Sequence, residues 1–435
     1  MRETFNISID NLNTFKSQLL EWGRRQDLFV LLDSHHYPRK SSVSSHYQYD
    51  FLAAWGCVDS VTADENNGFE ELEKFAEKKN DWLFGFLTYD LKNGIEKLHS
   101  NNSDGLKFPS LHFFQPECVV VGKKDTVKMY VLPNKLTSEY SRKIINEIQD
   151  LSFHGLPELS TRVKIKSKFS KNEYLDTVNK LKNHIKHGNI YEISFCQEFY
   201  DFVTIDPFYT YIRLSEISPA PFSCFYKYDD KFILSSSPER FIKKTGSRVI
   251  SQPIKGTAKR GNTVAEDAML KDKLYNDEKE RAENVMIVDL VRNDLSRVAL
   301  QGSVKVDELY GIYSFEQVHQ MISTISCEID AKDYLEVIKQ CFPMGSMTGA
   351  PKVRAMQLIE EHERTKRGVF SGSVGYITPE KDFDFNVIIR TILYNSSENY
   401  VSYSVGGAIT YLSKTLDEYE ECMIKSIAMK QVLNG

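Results

Sequence analysis

The chain has 435 residues, of which 41% are hydrophobic and 12% aromatic, enough to bury a large core and to exclude a disordered or fibrous protein. Its net charge of -5 gives no global attraction to nucleic acid, and the short basic stretch Lys164, Lys166, Lys168 and Lys171 reads as a solvated edge. With no bilayer-length apolar run, no apolar signal core at the N-terminus and seven scattered cysteines without a Cys-x-x-Cys pair, the expectation is a cytoplasmic chain with no membrane or nucleic-acid partner, no disulfide scaffold and no structural zinc.

Residues 28–32 form a compact apolar run that reads as a buried strand, and 81–89 and 118–121 read similarly. Residues 97–104 and 152–161 are polar or rich in turn formers and read as loops. Ser170 and Glu173 fit a capping box. Tyr174, Val178, Leu181 and Ile185 follow at helical spacing, and Gly188-Asn189 ends the helix. Strands are expected at 190–199 and 222–228. A helix over 277–291 opens on a second capping box, Asp277 and Glu280. Another begins at Tyr334, and one follows Thr348-Gly349-Ala350-Pro351, with Pro351 suited to the first turn. Late strands are expected at 369–378, 385–394 and 400–405, before a last helix over 416–432. Strands and helices mix without a βαβ rhythm, which predicts an α+β fold of antiparallel sheets with helices outside. The loop at 152–161 reads equally as a domain boundary or as part of one intertwined domain.

Four polar clusters can carry chemistry. Glu239, in Ser237-Pro238-Glu239-Arg240, follows an apolar strand end, where a carboxylate can face a cleft as general acid or base; an exposed Glu-Arg turn fits the same spacing. Lys255, in Pro253-Ile254-Lys255-Gly256-Thr257, sits in a constrained turn, where a buried amine can act as nucleophile and an ordinary surface lysine is the alternative. Glu280 and Glu283 share one helix face, as do Glu418, Glu421 and Lys425. Two such helices can hold magnesium through one or two carboxylates, or present solvated acidic faces. The glycines in 345–349 and at Gly406-Gly407 can bring backbone N–H groups to a carboxylate or form plain turns, and His319 is a lone histidine, structural or functional.

Taken together, the ordered motifs from Ser237-Pro238-Glu239-Arg240-Phe241 through Pro253-Ile254-Lys255-Gly256-Thr257, residues 280–290, Arg292-Asn293-Asp294-Leu295 and Thr348-Gly349-Ala350-Pro351-Lys352 to Tyr419-Glu420-Glu421 resemble the chorismate-utilising enzymes. That family includes anthranilate, aminodeoxychorismate, isochorismate and salicylate synthases. The resemblance implies a two-sheet antiparallel sandwich surrounded by helices. Residues 165–432 would form its chorismate-binding catalytic region, and 1–160 a variable N-terminal region contributing to the same sandwich. It implies magnesium ligation by Glu283 and Glu421, with Glu280 and Glu418 reaching the metal through water. Lys425, Tyr376, Arg390 and the backbone at Gly406 and Gly407 would bind the substrate's carboxylates, while Thr348 and His319 would line the reacting ring.

Lys255 separates the members, because anthranilate synthases carry a small residue there and aminodeoxychorismate synthases typically carry this lysine. Isochorismate and salicylate synthases place a water-activating lysine where this chain has Glu192. The resemblance therefore implies attack of Lys255 at ring C2 with Glu239 protonating the departing C4 hydroxyl, then amination at C4 to 4-amino-4-deoxychorismate, the precursor of 4-aminobenzoate for folate synthesis. No Gly-x-Cys-x-Gly loop is present, so the ammonia is expected from a separate glutamine amidotransferase subunit. The other readings are anthranilate synthase component I, isochorismate or salicylate synthase, and an inactive family member serving as a binding subunit. Three residues depart from the aminating pattern: Glu192 replaces glutamine, Ser194 replaces asparagine or valine, and Ala408 replaces glycine.

Overall fold

In the strand Leu28–Asp33, Leu28 and Val30 belong to one apolar cluster, and Phe29 and Leu31 to another. Successive side chains of a strand point to opposite faces, so a strand apolar on both must be covered on both. The computed structural model, which describes residues 2–35, 48–123, 126–133, 137–152, 163–315 and 318–434, supplies both covers. Of the loop expected at 152–161, all but Ser152 lies outside the described residues.

A twelve-stranded sheet runs in the order Glu3–Ile7, Thr126–Val131, Cys118–Lys123, Phe51–Trp55, Leu28–Asp33, Phe222–Tyr228, Lys231–Ser237, Thr391–Asn395, Tyr400–Ile409, Glu192–Phe202 and Gly349–Ala350, with Lys166–Ser167 beside Glu192–Phe202. A ten-stranded sheet runs Ile254–Lys259, Val318–Glu328, Arg248–Gln252, Arg240–Thr245, Phe383–Asn386, Ser373–Ile377, Leu83–Leu87, Leu111–Gln115 and Asp59–Ala63, with Lys305–Ser314 beside Val318–Glu328. Every pairing between these strands is antiparallel. Early strands pair with late ones in both sheets: Leu28–Asp33 with Phe222–Tyr228, and Leu83–Leu87 with Ser373–Ile377.

One core lies between the sheets, where Val30 and Leu52 of the first share a cluster with Phe84, Phe113 and Phe385 of the second. The other lies between the first sheet and the helices Leu12–Gly23, Lys171–Lys186, Pro207–Ile217 and Thr415–Asn434. The Lys171–Lys186 helix opens on the expected capping box: Glu173 N–H donates to Ser170 Oγ while Ser170 N–H donates to the Glu173 carboxylate. In the helix Glu278–Ser296, Asp277 accepts from Glu280 N–H, but Glu280 Oε2 lies toward Gly256. Pro351 is the N-cap of the helix Lys352–His362, one position before the first turn expected for it. All seven cysteines are free.

The single strand expected over 385–394 is two. Phe383–Asn386 belongs to the second sheet and Thr391–Asn395 to the first, so the chain changes sheets between them. It does so also between Lys231–Ser237 and Arg240–Thr245.

Arg367 ties these pieces beneath the pocket. Its guanidinium, 5% exposed, donates to the Glu363 carboxylate at 2.6 Å, to Met347 O at 2.6 Å and to Ser194 O at 2.8 Å. Removing one partner of a buried ion pair strands the other, at a cost of ~3–5 kcal/mol. Arg367→Met is therefore expected to lower the unfolding free energy by about that much in urea denaturation. A loss below about 1 kcal/mol would show that the guanidinium does not hold the sheet to the Met347 turn.

Candidate active site

These two sheet changes each place a candidate functional side chain. At the first, Pro238-Glu239 leaves one sheet for the other. At the second, the chain passes through 387–390, with Arg390 in the left-handed region at φ 50°. The two crossovers are bonded together: Val387 N–H donates to Glu239 O at 3.0 Å, and Ser236 N–H to Arg390 O at 3.2 Å. Burial pushes the Glu239 carboxyl up to about 7, against the pull of Lys255. Burial also lowers the Arg390 guanidinium, which has no carboxylate partner among the described residues.

Lys255 stands on Ile254–Lys259, an edge strand of the second sheet, and meets Glu192 from Glu192–Phe202 of the first. Lys255 Nζ donates to Glu192 Oε1 at 2.8 Å. Desolvation works against the ammonium, but Glu192, Glu283 and Glu239 outweigh it and hold Lys255 well above the ordinary lysine value. The carboxylates around it thus favour the charged form of Lys255. Gly349 lets the backbone close on this pair. Its φ is 146°, and a Cβ there would lie 2.2 Å from Glu192 O.

Two helices face the same space. Glu283, 7% exposed, has its carboxyl raised by burial to about 7 despite Lys255, and its Oε1 has no hydrogen-bond partner. Burial raises Glu280 too. From Thr415–Asn434, Glu418 is buried. On Glu421, burial is outweighed by Lys425, whose Nζ lies 2.8 Å from Glu421 Oε1, and the carboxyl is lowered. Lys425 also donates to Gly406 O at 3.0 Å. Gly407 faces the group: a Cβ there would lie 3.3 Å from Glu418 Oε2, 3.8 Å from Glu421 Oε1 and 3.9 Å from Lys425 Nζ. Lys279 bridges the helices, 3.8 Å from Glu283 Oε1 and 3.5 Å from Glu418 Oε1.

Among the described residues, no three His, Cys, Asp or Glu side chains converge as a closed metal cage. The orphaned Glu283 oxygen, the all-oxygen donors and a lysine ammonium already lying between two of the carboxylates fit a hard cation that takes one or two protein ligands and fills the rest with water and substrate.

Thr348 is fully buried beside the Glu192 strand. Its hydroxyl donates to Gly345 O at 3.1 Å, and its carbonyl accepts from Ser194 N–H at 2.8 Å. Two expected residues are not gathered here. Tyr376 packs among Tyr49, Trp82 and Phe84 and lines a separate cavity with Asp33, Ser34, Asp384 and Asn386. Four strands of the second sheet lie between its strand and that of Lys255, which is why it does not reach the carboxylates. His319 is fully buried with both ring nitrogens engaged, Nε2 3.0 Å from Asp267 Oδ1 and Nδ1 2.8 Å from Ser314 Oγ; neither partner is a member of the acidic cluster. Conversely, two members were not anticipated: Glu192 as the partner of Lys255, and Lys279. The spacing of Lys279, one turn before Glu283, is the signal that could have found it.

A family model described as chorismate binding enzyme matches residues 30–431. The chain is 32% identical over 359 residues to aminodeoxychorismate synthase component 1 of Bacillus subtilis, covering 80% of this chain and 76% of that one. It is 34% identical over 366 residues to anthranilate synthase component 1 of Aquifex aeolicus, covering 81% and 74%. It is 41% identical over 395 residues to the chloroplastic aminodeoxychorismate synthase of Arabidopsis thaliana, covering 85% of this chain and 42% of that one. Among solved structures, anthranilate synthase component I from Streptococcus pneumoniae superposes with a TM-score of 0.76 at 26% identity, covering 87% and 91% of the two chains. The menaquinone-specific isochorismate synthase of Escherichia coli superposes at 0.78 over 100% and 94%, but at 16% identity it shares only the fold. With its sandwich, its motifs and its match over nearly the whole length, the chain belongs to the chorismate-binding enzyme family.

Proposed function

We propose that the chain aminates chorismate at ring carbon 4, giving 4-amino-4-deoxychorismate, as an aminodeoxychorismate synthase component I. The observation that carries this reading is Lys255: an amine withdrawn from solvent, within electrostatic reach of a glutamate that is substantially protonated near neutral pH. Arg390 and Lys425 offer cationic groups for the carboxylates of the substrate, and the backbone at Gly406-Gly407 lets one approach closely. A magnesium ion held by Glu283 and Glu421, with Glu280 and Glu418 behind bridging water, would supply positive charge to offset the ring carboxylate.

The remaining chemistry belongs to side chains. The Lys255 nitrogen bonds to C2 as both ring double bonds shift and the C4–O bond breaks. Glu239 delivers the proton that lets the hydroxyl leave as water. Ammonia then bonds to C4, both double bonds shift back, and the C2–N bond breaks to return the lysine. Ammonia generated from glutamine by a separate amidotransferase subunit fits this scheme, and the product is the precursor of 4-aminobenzoate for folate. The second reading, anthranilate synthase component I, is favoured by the comparable 34% identity to the Aquifex aeolicus protein.

Incubation with chorismate, magnesium and ammonium, followed by mass analysis and a pyruvate assay, separates the two. The expected outcome is 4-amino-4-deoxychorismate without pyruvate; fluorescent anthranilate with stoichiometric pyruvate would overturn the proposal. Lys255→Ala is expected to abolish amination while leaving the circular dichroism spectrum unchanged, and undiminished product would rule out the covalent route. Glu239→Gln is expected to slow amination by ~10²–10⁴-fold. A group that must donate a proton loses it as pH rises, so the wild-type rate should fall above about pH 7, where Glu239 ionises; a rate that climbs through that range at fixed free ammonia would assign the acid elsewhere.

A further inference from the structure

An ammonium has no lone pair to offer carbon, yet the carboxylates around Lys255 favour that form. The charged groups facing it are Glu192 from the first sheet, Glu239 from the crossover, Glu280 and Glu283 from the helix Glu278–Ser296 and Glu421 from the helix Thr415–Asn434. All of them favour the charged lysine. Only Glu192 is hydrogen-bonded to it, at 2.8 Å, with side chains 12% and 2% exposed for lysine and glutamate. Glu192 Oε2 is buried with no hydrogen-bond partner, so the carboxylate's charge is answered almost entirely by this lysine.

Sending the lysine's proton to solvent would leave Glu192 as an unpaired buried anion among other carboxylates, an arrangement that burial penalises heavily. Moving it onto Glu192 leaves a neutral amine beside a neutral acid, with no change in net charge and no unpaired buried ion. We propose that Glu192 is the proton acceptor that arms Lys255. The Nζ–H bond breaks and an O–H bond forms on Glu192; the freed lone pair bonds to C2; and the proton returns to Nζ when the C2–N bond breaks. The proposal rests on the reading of Lys255 as the nucleophile. Glu192 acts through the lysine and is a positioning residue in that sense. A proton passed within the pair does not leave it, so freeing the amine does not wait on exchange with solvent.

The test is ammonia-dependent amination from about pH 7 to pH 9, at constant free ammonia and saturating chorismate and magnesium. Dividing each variant's rate by the wild-type rate at the same pH cancels the contribution of Glu239. Glu192→Gln keeps a hydrogen-bond acceptor for the lysine but a far weaker base. It is expected to run about tenfold or more slower than wild type near pH 7, with the ratio rising with pH as Lys255 loses its proton to solvent. Its KM for chorismate should stay within about threefold. Glu192→Asp is expected to be slower at all pH values with a flat ratio. A Glu192→Gln enzyme that matches or exceeds wild type near neutral pH, or whose ratio is flat, overturns the proposal. So does loss of chorismate binding by Glu192→Gln in calorimetry, which would make Glu192 a structural member of the pocket. Lys255→Ala distinguishes the two levels: persistent amination by that variant defeats the nucleophile reading itself, whatever Glu192→Gln does.

Discussion

A lysine from the edge of one sheet and a glutamate from the other meet in the interior at 2.8 Å, and the chemistry of the pocket is arranged around that ion pair. Taking both charges out of water is costly, and only close geometry offsets the cost. The surroundings supply that geometry and then tip the balance. Glu239, Glu280, Glu283, Glu418 and Glu421 add to Glu192, against Lys255, Lys279, Lys425 and Arg390. The pocket carries more carboxylates than cations. The upward shifts of Glu239 and Glu283 express the same shortage, because a buried acid without a full counter-charge keeps its proton to higher pH.

The sheet changes explain how a sandwich, whose strands are satisfied by their neighbours, yields reactive positions at all. Inside a sheet, backbone groups are consumed by the ladder and side chains by the two cores. Where the chain leaves one sheet for the other, it runs across the gap between them, and Glu239 and Arg390 sit at two such crossings. The crossings are hydrogen-bonded to each other through Val387 N–H and Ser236 N–H, so the acid and the guanidinium are held by the same backbone. The Arg367 clamp does similar work from below, fixing Met347 O next to Thr348 and Ser194 O two residues from Glu192. Here one buried cation grips two backbone carbonyls next to the pocket.

What could be read from the chain follows the range of the forces involved. Helix starts were legible because caps are local: Ser170 with Glu173, and Asp277 with the N–H of Glu280, lie within one turn. The strand Leu28–Asp33 was legible because an apolar run covered on both faces leaves no alternation to misread. Residues 385–394 failed for the converse reason: Phe385, Val387, Ile388, Ile389, Ile392 and Leu393 run apolar on both sides of the break, and its polar residues, Asn386, Arg390 and Thr391, fit a strand as well as a crossing between sheets. Tyr376 was expected at the pocket from the resemblance, but the strand order of the second sheet sets it against Tyr49, Trp82 and Phe84. The Lys255–Glu192 pair spans 63 residues and two sheets, so Glu192 stood out only as an unusual residue and not as a partner.

The excess of carboxylates also bears on how such a pocket can accept an anionic substrate. A ligand carrying carboxylates would need cations or N–H groups to meet them, and Arg390 and Lys425 are the cations at hand, because a low-dielectric cleft does not screen charge as water does. Lys279 already lies between Glu283 and Glu418, one acid from each helix, but at 3.8 and 3.5 Å it sits beyond hydrogen-bonding distance of either. An ammonium at that range answers part of the acids' charge without saturating their oxygens, and Glu283 Oε1 is left without a partner. The same accounting constrains the lysine. Each positive charge that neutralises Glu283 removes one of the groups holding Lys255 protonated, while leaving its hydrogen bond to Glu192 in place. A cation placed against Glu283 would therefore also weaken the hold on the Lys255 proton.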